Sequence, residues 1–276
     1  MNTLSKNTVN NERRFGGIAR LYGYDGLKRL RAAHVCVIGV GGVGSWVVES
    51  LARSGVGEIT MIDMDLVSES NINRQILATT DSVGRDKVVV MQDRIAQINP
   101  ECKVNCVDEF ISRDNLKQNL NLNMDFVIDC IDDFRTKAAL ISFCKANKIN
   151  ILTIGGAGGQ IDPAKIKQSD LSRTEHDVLL ARTRKLLRQD YGFARNLKRS
   201  FGVPCIYSVE QLAFPDGQGG TTAQRPSKDN SAGDVSDMPN NALNCAGGLG
   251  SITHTTGTFA FFASSFVLNK LAREQL

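Results

Sequence analysis

Residues 34–45 read HVCVIGVGGVGS, and their interpretation decides the fold. Val35 to Ile38 is a continuous apolar run, the pattern of a strand buried on both faces of a sheet. It leads into Gly39, Gly41, Gly42 and Gly44, where a tight turn and a close backbone approach meet no Cβ. Val43 to Arg53 then carries a helical pattern, so its unpaired N–H groups and positive dipole end face back on to the glycines. A strand, a glycine turn and a helix N-terminus in that order form a cradle for phosphate.

Working outward, Glu58 to Asp65 reads as a second strand ending in Asp63-Met64-Asp65. To this point a dinucleotide-binding unit fits as well, with Asp63 about where such a unit keeps its ribose-binding acid. The next residues favour a nucleoside triphosphate: Arg74, Lys87 within GRDK, and the acidic cluster DCIDD at residues 129–133. Two cations and a metal-holding carboxylate suit the charge of a triphosphate. A nicotinamide site, the oxidoreductase alternative, has no need of them. Asp63 is placed to accept both ribose hydroxyls, with Asp65 beside it. Arg74 and Lys87 would hold phosphates, one as a planar fork and the other as a point charge. Asn71 and Gln75 are neutral candidates for the same site.

Lys87 to Ile98 has a helix pattern ended by Asn99-Pro100. Lys103 to Val107, Phe126 to Asp129 and Ile149 to Ile154 read as further strands, with a short helix near Asn115. This alternation predicts an α/β, Rossmann-like, mostly parallel sheet with helices on both faces. Ligands of such sheets sit outside the carboxyl ends of the strands, where Gly39, Asp63 and Asp129 to Asp133 all fall. Asp129 reads as a strand-end hydrogen-bonding residue, and Asp133 as the cap of a helix running to Asn147.

The succession Gly-x-Gly-Gly-Val-Gly-Ser, Asp-x-Asp, Asn-x-x-Arg-Gln, Lys and Asp-Cys-x-Asp resembles the ubiquitin-activating-enzyme-like adenylyltransferases. The resemblance implies ATP and Mg2+ as cofactors, with Arg74, Lys87 and Asp132 as catalytic residues and Asp132 as the magnesium ligand. It also implies a homodimer in which a basic residue near the N-terminus reaches the partner's ATP. Arg13 to Arg31 reads as a helix with an irregular start at Gly16-Gly17, and in it Arg14 is the candidate and Arg20 the second choice. The segments from Ala164 to Phe193, Cys205 to Glu210 and Asn244 to Ser251 resemble a narrower family, the tRNA threonylcarbamoyladenosine dehydratases. That likeness spans nearly the whole chain. It implies ATP-dependent dehydration of the threonylcarbamoyl group on the adenosine 3′ of the tRNA anticodon, through an adenylated carboxylate.

Other features bear on the same choice. The 276 residues are 42% hydrophobic and 22% charged with a net charge of +4, and are read as one adenylation domain. Residues 1–11 lack the apolar core of a signal peptide, and seven scattered cysteines make no disulfide framework, so a cytoplasmic protein is expected. No Cys-x-x-Cys pair occurs, which departs from those activators of sulfur-carrier proteins that hold a structural zinc. Between Lys165 and Arg199 stand ten basic and four acidic residues. Arg182, Arg184, Lys185, Arg188, Lys198 and Arg199 are the candidates there for contact with tRNA phosphates. Gly192 is expected to stop the helix that carries the first four. Residues 214–241 read as a flexible polar loop.

The apolar segment from Ile252 to Leu271 is interrupted by hydroxyl residues and His254, and reads as a core helix of about residues 250–272 rather than a membrane span. Cys205 and Cys245 are candidate sulfur acceptors in the alternative reading. That alternative is a sulfur-relay component that adenylates a small carrier protein or takes persulfide sulfur from a cysteine desulfurase.

Overall fold

A computed structural model describes residues 10–120, 123–224 and 249–273. Among them β1 (His34–Ile38), β2 (Glu58–Ile62), β3 (Lys103–Val107), β4 (Phe126–Asp129), β5 (Ile151–Ile154), β6 (Ile166–Asp170) and β7 (Pro204–Ser208) form one sheet. Its order is β3-β2-β1-β4-β5-β7-β6. All pairings are parallel except that of β6 with β7.

The strand sequences explain this layering. Successive side chains of a strand point to opposite faces, and in β1 Val35 and Val37 enter one core while Cys36 and Ile38 enter the other. The first core is closed by α2 (Gly44–Arg53), α3 (Lys87–Ile98) and α7 (Thr253–Ala272). The second is closed by the short α4 (Leu116–Asn119), α5 (Phe134–Ala146) and α6 (Val178–Asp190). No face of β1 is left for water, which is why its sequence does not alternate.

Local chemistry sets the helix ends. Asp133 accepts the Thr136 N–H at 2.7 Å and so caps α5, as its position predicted. Gly192 adopts φ +71°, and α6 stops at Asp190. In α7 the residue pairs Thr255-Thr256, Phe259-Ala260, Ala263-Ser264 and Val267-Leu268 lie at helical spacing and are buried. The Ser264 hydroxyl donates to the Ala260 carbonyl at 2.7 Å. No described helix is long and apolar enough to cross a membrane.

Three details differ from expectation. The helix α1 (Asn11–Ala32) is regular through Gly16 and Gly17 and breaks instead at Gly23, φ +75°. The antiparallel β6 was not foreseen, because Lys167 and Gln168 are exposed and only Ile166 is fully buried, so no apolar run marks it. At the start of the expected loop, β8 (Phe214–Pro215) and β9 (Thr221–Thr222) pair as a small hairpin. Residues 225–241 of that loop lie outside the described residues.

Candidate active site

The sheet changes direction between β1 and β4: the chain builds β2 and β3 on one side and β5 on the other. A cleft of about 580 Å³ opens at the carboxyl ends of these strands. Gly39, Gly41, Gly42, Asp63, Asp65, Asn71, Arg74, Gln75, Lys87 and Asp132 all line it. Residues up to 93 positions apart in sequence are thus brought to one place, as the strand-end rule predicts.

The cradle has the shape that its glycines require. Gly39 adopts φ +85°, and a Cβ there would stand 3.0 Å from the Cys130 carbonyl oxygen. A Cβ on Gly44 would lie 1.8 Å from the Gly39 oxygen, so the first turn of α2 closes only over glycine. Gly41, by contrast, faces open space, with Gln75 Nε2 the nearest atom to a built Cβ at 3.9 Å.

The acids and bases around the cradle have distinct settings. Asp63 accepts the Val40 N–H at 2.6 Å through one oxygen and the Asp65 N–H at 2.9 Å through the other. Each oxygen keeps a lone pair for a further donor. Burial pushes the Asp63 carboxyl above its usual range, against the pull of Lys87 and the two N–H groups. Ribose hydroxyls prefer the ionised carboxylate as acceptor. ATP affinity should therefore fall as pH is lowered through this raised value, sooner than an ordinary carboxylate would cause. Calorimetric titration of ATP from neutral to mildly acid pH tests this, and Asp63→Asn should remove that part of the pH dependence.

Lys87, although at the start of α3, is only 5% exposed, and its ammonium lies 2.7 Å from Asp65 Oδ2. The Arg74 guanidinium reaches the Ser70 carbonyl at 2.7 Å and Asn73 Oδ1 at 3.0 Å, which holds it at the rim. Its carbonyl accepts from the Trp46 indole N–H at 3.0 Å. Asn71 has a local task, accepting the Ser68 N–H in a capping box. Gln75 is 5% exposed, and its Oε1 is buried without a hydrogen-bond partner among the described residues. An orphaned acceptor in a cleft wall is what a bound polar ligand would satisfy. Asp132 is exposed at the mouth, and its carboxylate has no protein partner among the described residues. No cluster of three potential metal ligands occurs among the described residues. A lone free carboxylate beside a phosphate cradle does fit Mg2+, which binds one or two carboxylates together with substrate phosphates.

Met64, Phe110, Ile111 and Leu179 carry no signal in the sequence, whereas the four glycines within residues 155–159 do, as backbone expected to pass close to a substrate. Met64, Phe110 and Ile111 give the cleft an apolar side, and Gly155 to Gly158, Leu179 and Ser251 close its far end. Asp177 supports that end. Its carboxylate accepts the Gly156 N–H at 2.9 Å and, as the cap of α6, the Leu180 N–H at 2.8 Å. A Cβ on Gly155 would lie 2.1 Å from this carboxylate. Behind Asp132, Asp129 is wholly buried against Lys137, whose ammonium stands 2.8 Å from Asp129 Oδ2 and 3.2 Å from Thr153 Oγ1. The other Asp129 oxygen accepts the Ile131 N–H at 3.1 Å. The strand-end reading of Asp129 was right but incomplete, since it missed the ion pair.

The remaining candidates among the described residues do not line the cleft. Arg14 lies outside the cleft, donating to the carbonyls of Gln97 and Ile98 at 3.1 and 2.7 Å at the end of α3. It borders a recess of about 960 Å³ between α1, α2 and α3 that contains none of the strand-end residues. Arg184 donates to Thr174 Oγ1, and Arg188 to the Ala194 carbonyl at 3.4 Å with its guanidinium over Phe201. These two serve the packing of α6, whereas Lys185, Lys198 and Arg199 are exposed and Arg182 is half-buried. Cys205 is fully buried in β7, and desolvation raises its thiol well above the usual value. A sulfur acceptor needs the opposite setting, exposed and electropositive. Cys245, the other candidate, lies outside the described residues.

The ThiF family pattern matches residues 16–189. A tRNA threonylcarbamoyladenosine dehydratase of Haemophilus influenzae is 50% identical over 96% of both chains, and its Escherichia coli counterpart 47% identical over 94% of this chain and 93% of its own. The chain belongs to the ThiF family, on its tRNA threonylcarbamoyladenosine dehydratase branch. The E. coli enzyme solved with ATP superposes with a TM-score of 0.81 at 45% identity, over 94% of each chain. The narrower resemblance and the fold class read from the sequence therefore hold for this ThiF-family chain.

Proposed function

We infer that the chain is an ATP-dependent tRNA dehydratase that cyclises the threonylcarbamoyl group of the adenosine 3′ of the anticodon. The observation that carries this reading is the cleft itself. A glycine cradle, Asp63, Arg74, Lys87 and an exposed Asp132 converge in a chain whose near-full-length relatives are named for that reaction.

A carboxylate resists nucleophiles because it is negatively charged and its oxygen leaves badly. Its oxygen attacks the α-phosphorus of ATP, the bond to pyrophosphate breaks, and a mixed anhydride forms. An atom of the adjacent carbamoyl group then attacks the activated carbonyl carbon. The carbon–oxygen bond to AMP breaks, a proton passes to solvent, and a ring closes with net loss of water. Both partners of the second step belong to one group, so orientation supplies much of the rate. The glycine turn orients the α- and β-phosphates, Asp63 fixes the ribose, and Lys87 and Arg74 stabilise charge developing on pyrophosphate. Mg2+ held by Asp132 and phosphate oxygens would neutralise part of that charge.

The same reading treats the whole chain as one adenylation domain of the cytoplasm, where tRNA resides, and takes it to be a homodimer. Arg14 is bound to its own α3 away from its own cleft, which leaves a second copy's cleft as the one it could serve.

The test is AMP release from ATP and magnesium with tRNA that does or does not carry the threonylcarbamoyl group. AMP is expected only with the modified tRNA, together with loss of one water from its nucleoside. A carboxylate labelled with heavy oxygen should pass one labelled atom into AMP. Arg74→Ala and Asp132→Ala should each lower AMP formation by about 10²–10³. Full turnover in either variant, or AMP without the label, would overturn the mechanism.

A further inference from the structure

Phe134 opens α5 directly after Asp132 and Asp133, at the mouth of the cleft. Two guanidinium groups gather on its ring: the Cζ of Arg135 lies 4.9 Å and that of Arg182 5.7 Å from the ring centroid. Arg182 comes from α6, one turn beyond Leu179, which lines the cleft, so both side chains share that helix face. Among the described residues neither arginine has a carboxylate within ion-pairing distance. The nearby Asp133 is engaged with the Thr136 N–H. The quadrupole of the ring attracts both cations but neutralises neither, so each keeps its full charge for an anion. Planar guanidinium forks gathered at one ring suit the oxygens of a phosphate backbone.

We propose that Arg135, Arg182 and Phe134 form a phosphate clamp that grips the RNA backbone beside the nucleoside entering the cleft. The inference rests on the tRNA reading above and adds to it Arg135, which no sequence pattern marked. It commits to an RNA phosphate rather than a phosphate of ATP, because the glycine cradle and Lys87 already lie at the strand ends and the clamp stands at the rim. The ring sets the spacing of the guanidinium groups, so a lysine at either position would keep the charge but lose the fork.

The experiment measures tRNA binding by the full chain as a function of salt, together with ATP affinity in the absence of tRNA. Arg135→Ala combined with Arg182→Ala is expected to weaken tRNA binding by about tenfold or more. It should also lower the slope of log affinity against log salt by about one to two, one per lost phosphate contact. ATP affinity and thermal midpoint should stay at the parent values. Arg135→Lys with Arg182→Lys should recover most of the salt slope and only part of the affinity. Unchanged tRNA affinity and slope in the alanine pair would overturn the clamp, as would a parallel loss of ATP affinity, which would make these residues nucleotide contacts. If the parent protein binds tRNA through these arginines but never releases AMP, the clamp stands and the dehydratase reading falls.

Discussion

Replacing Lys137 by methionine is expected to destabilise the chain by about 3–5 kcal/mol, the usual consequence of stripping a buried ion of its partner. Lys137 and Asp129 are both fully shielded from solvent. Their separation of 2.8 Å and the Thr153 hydroxyl, which donates to Asp129 Oδ2 at 2.7 Å, satisfy the carboxylate inside the sheet. With the ammonium gone, the carboxylate must either remain charged without compensation or take up a proton. Thermal unfolding should show a drop on the order of 10 °C for a chain of this size. The double variant Lys137→Met with Asp129→Asn should recover part of the loss, since no unpaired charge then remains. A midpoint for Lys137→Met within a degree or two of the parent would refute the argument. Because Asp129 also holds the Ile131 N–H, AMP formation should suffer even at temperatures where the variant is folded.

The second large effect concerns Lys87. Its ammonium is buried, and among the described residues it pairs with Asp65 alone, whose own side chain is 60% exposed. Lys87→Ala should lower AMP formation by about 10²–10³, with a smaller change in ATP affinity, because charge on pyrophosphate grows in the transition state. Asp65→Asn should act differently. The ammonium stays in place but loses a competitor, so ATP affinity is expected to hold or rise while turnover falls far less. Single-turnover AMP formation and equilibrium ATP binding on both variants separate these roles. Equal losses in the two would mean that the pair works only as a structural bridge.

Much of this architecture could be read from the chain because of how the sheet is buried. Strands with two covered faces need continuous apolar runs, and β1 and β4 fall where such runs placed them. The strand-end residues Gly39, Asp63 and Asp132 were legible because glycine and carboxylate at those positions serve the same geometric rule. What escaped notice depends on distant partners. Lys137 sits within a helix pattern like any solvated lysine, and only the arrival of β4 and β5 buries it. Asp177 carries no mark in the sequence, yet besides capping α6 it holds through its second oxygen a glycine 21 residues away. Arg184 and Arg188 counted as surface charge until Thr174 and Phe201 packed against them. Spacing along a helix says nothing about such neighbours.

The bridge made by Asp177 ties two motions into one. The first turn of α6 and the peptide of Gly156 hang from opposite oxygens of a single carboxylate, and the Gly156 carbonyl is held in turn by Gln160 Nε2 at 3.1 Å. The helix that presents Arg182 and Lys185 to the surface cannot shift without dragging the wall of the cleft along. Under the clamp proposed above, an RNA seated out of register on Arg182 would displace that wall as well. In that proposal grip and alignment are the two ends of one short lever.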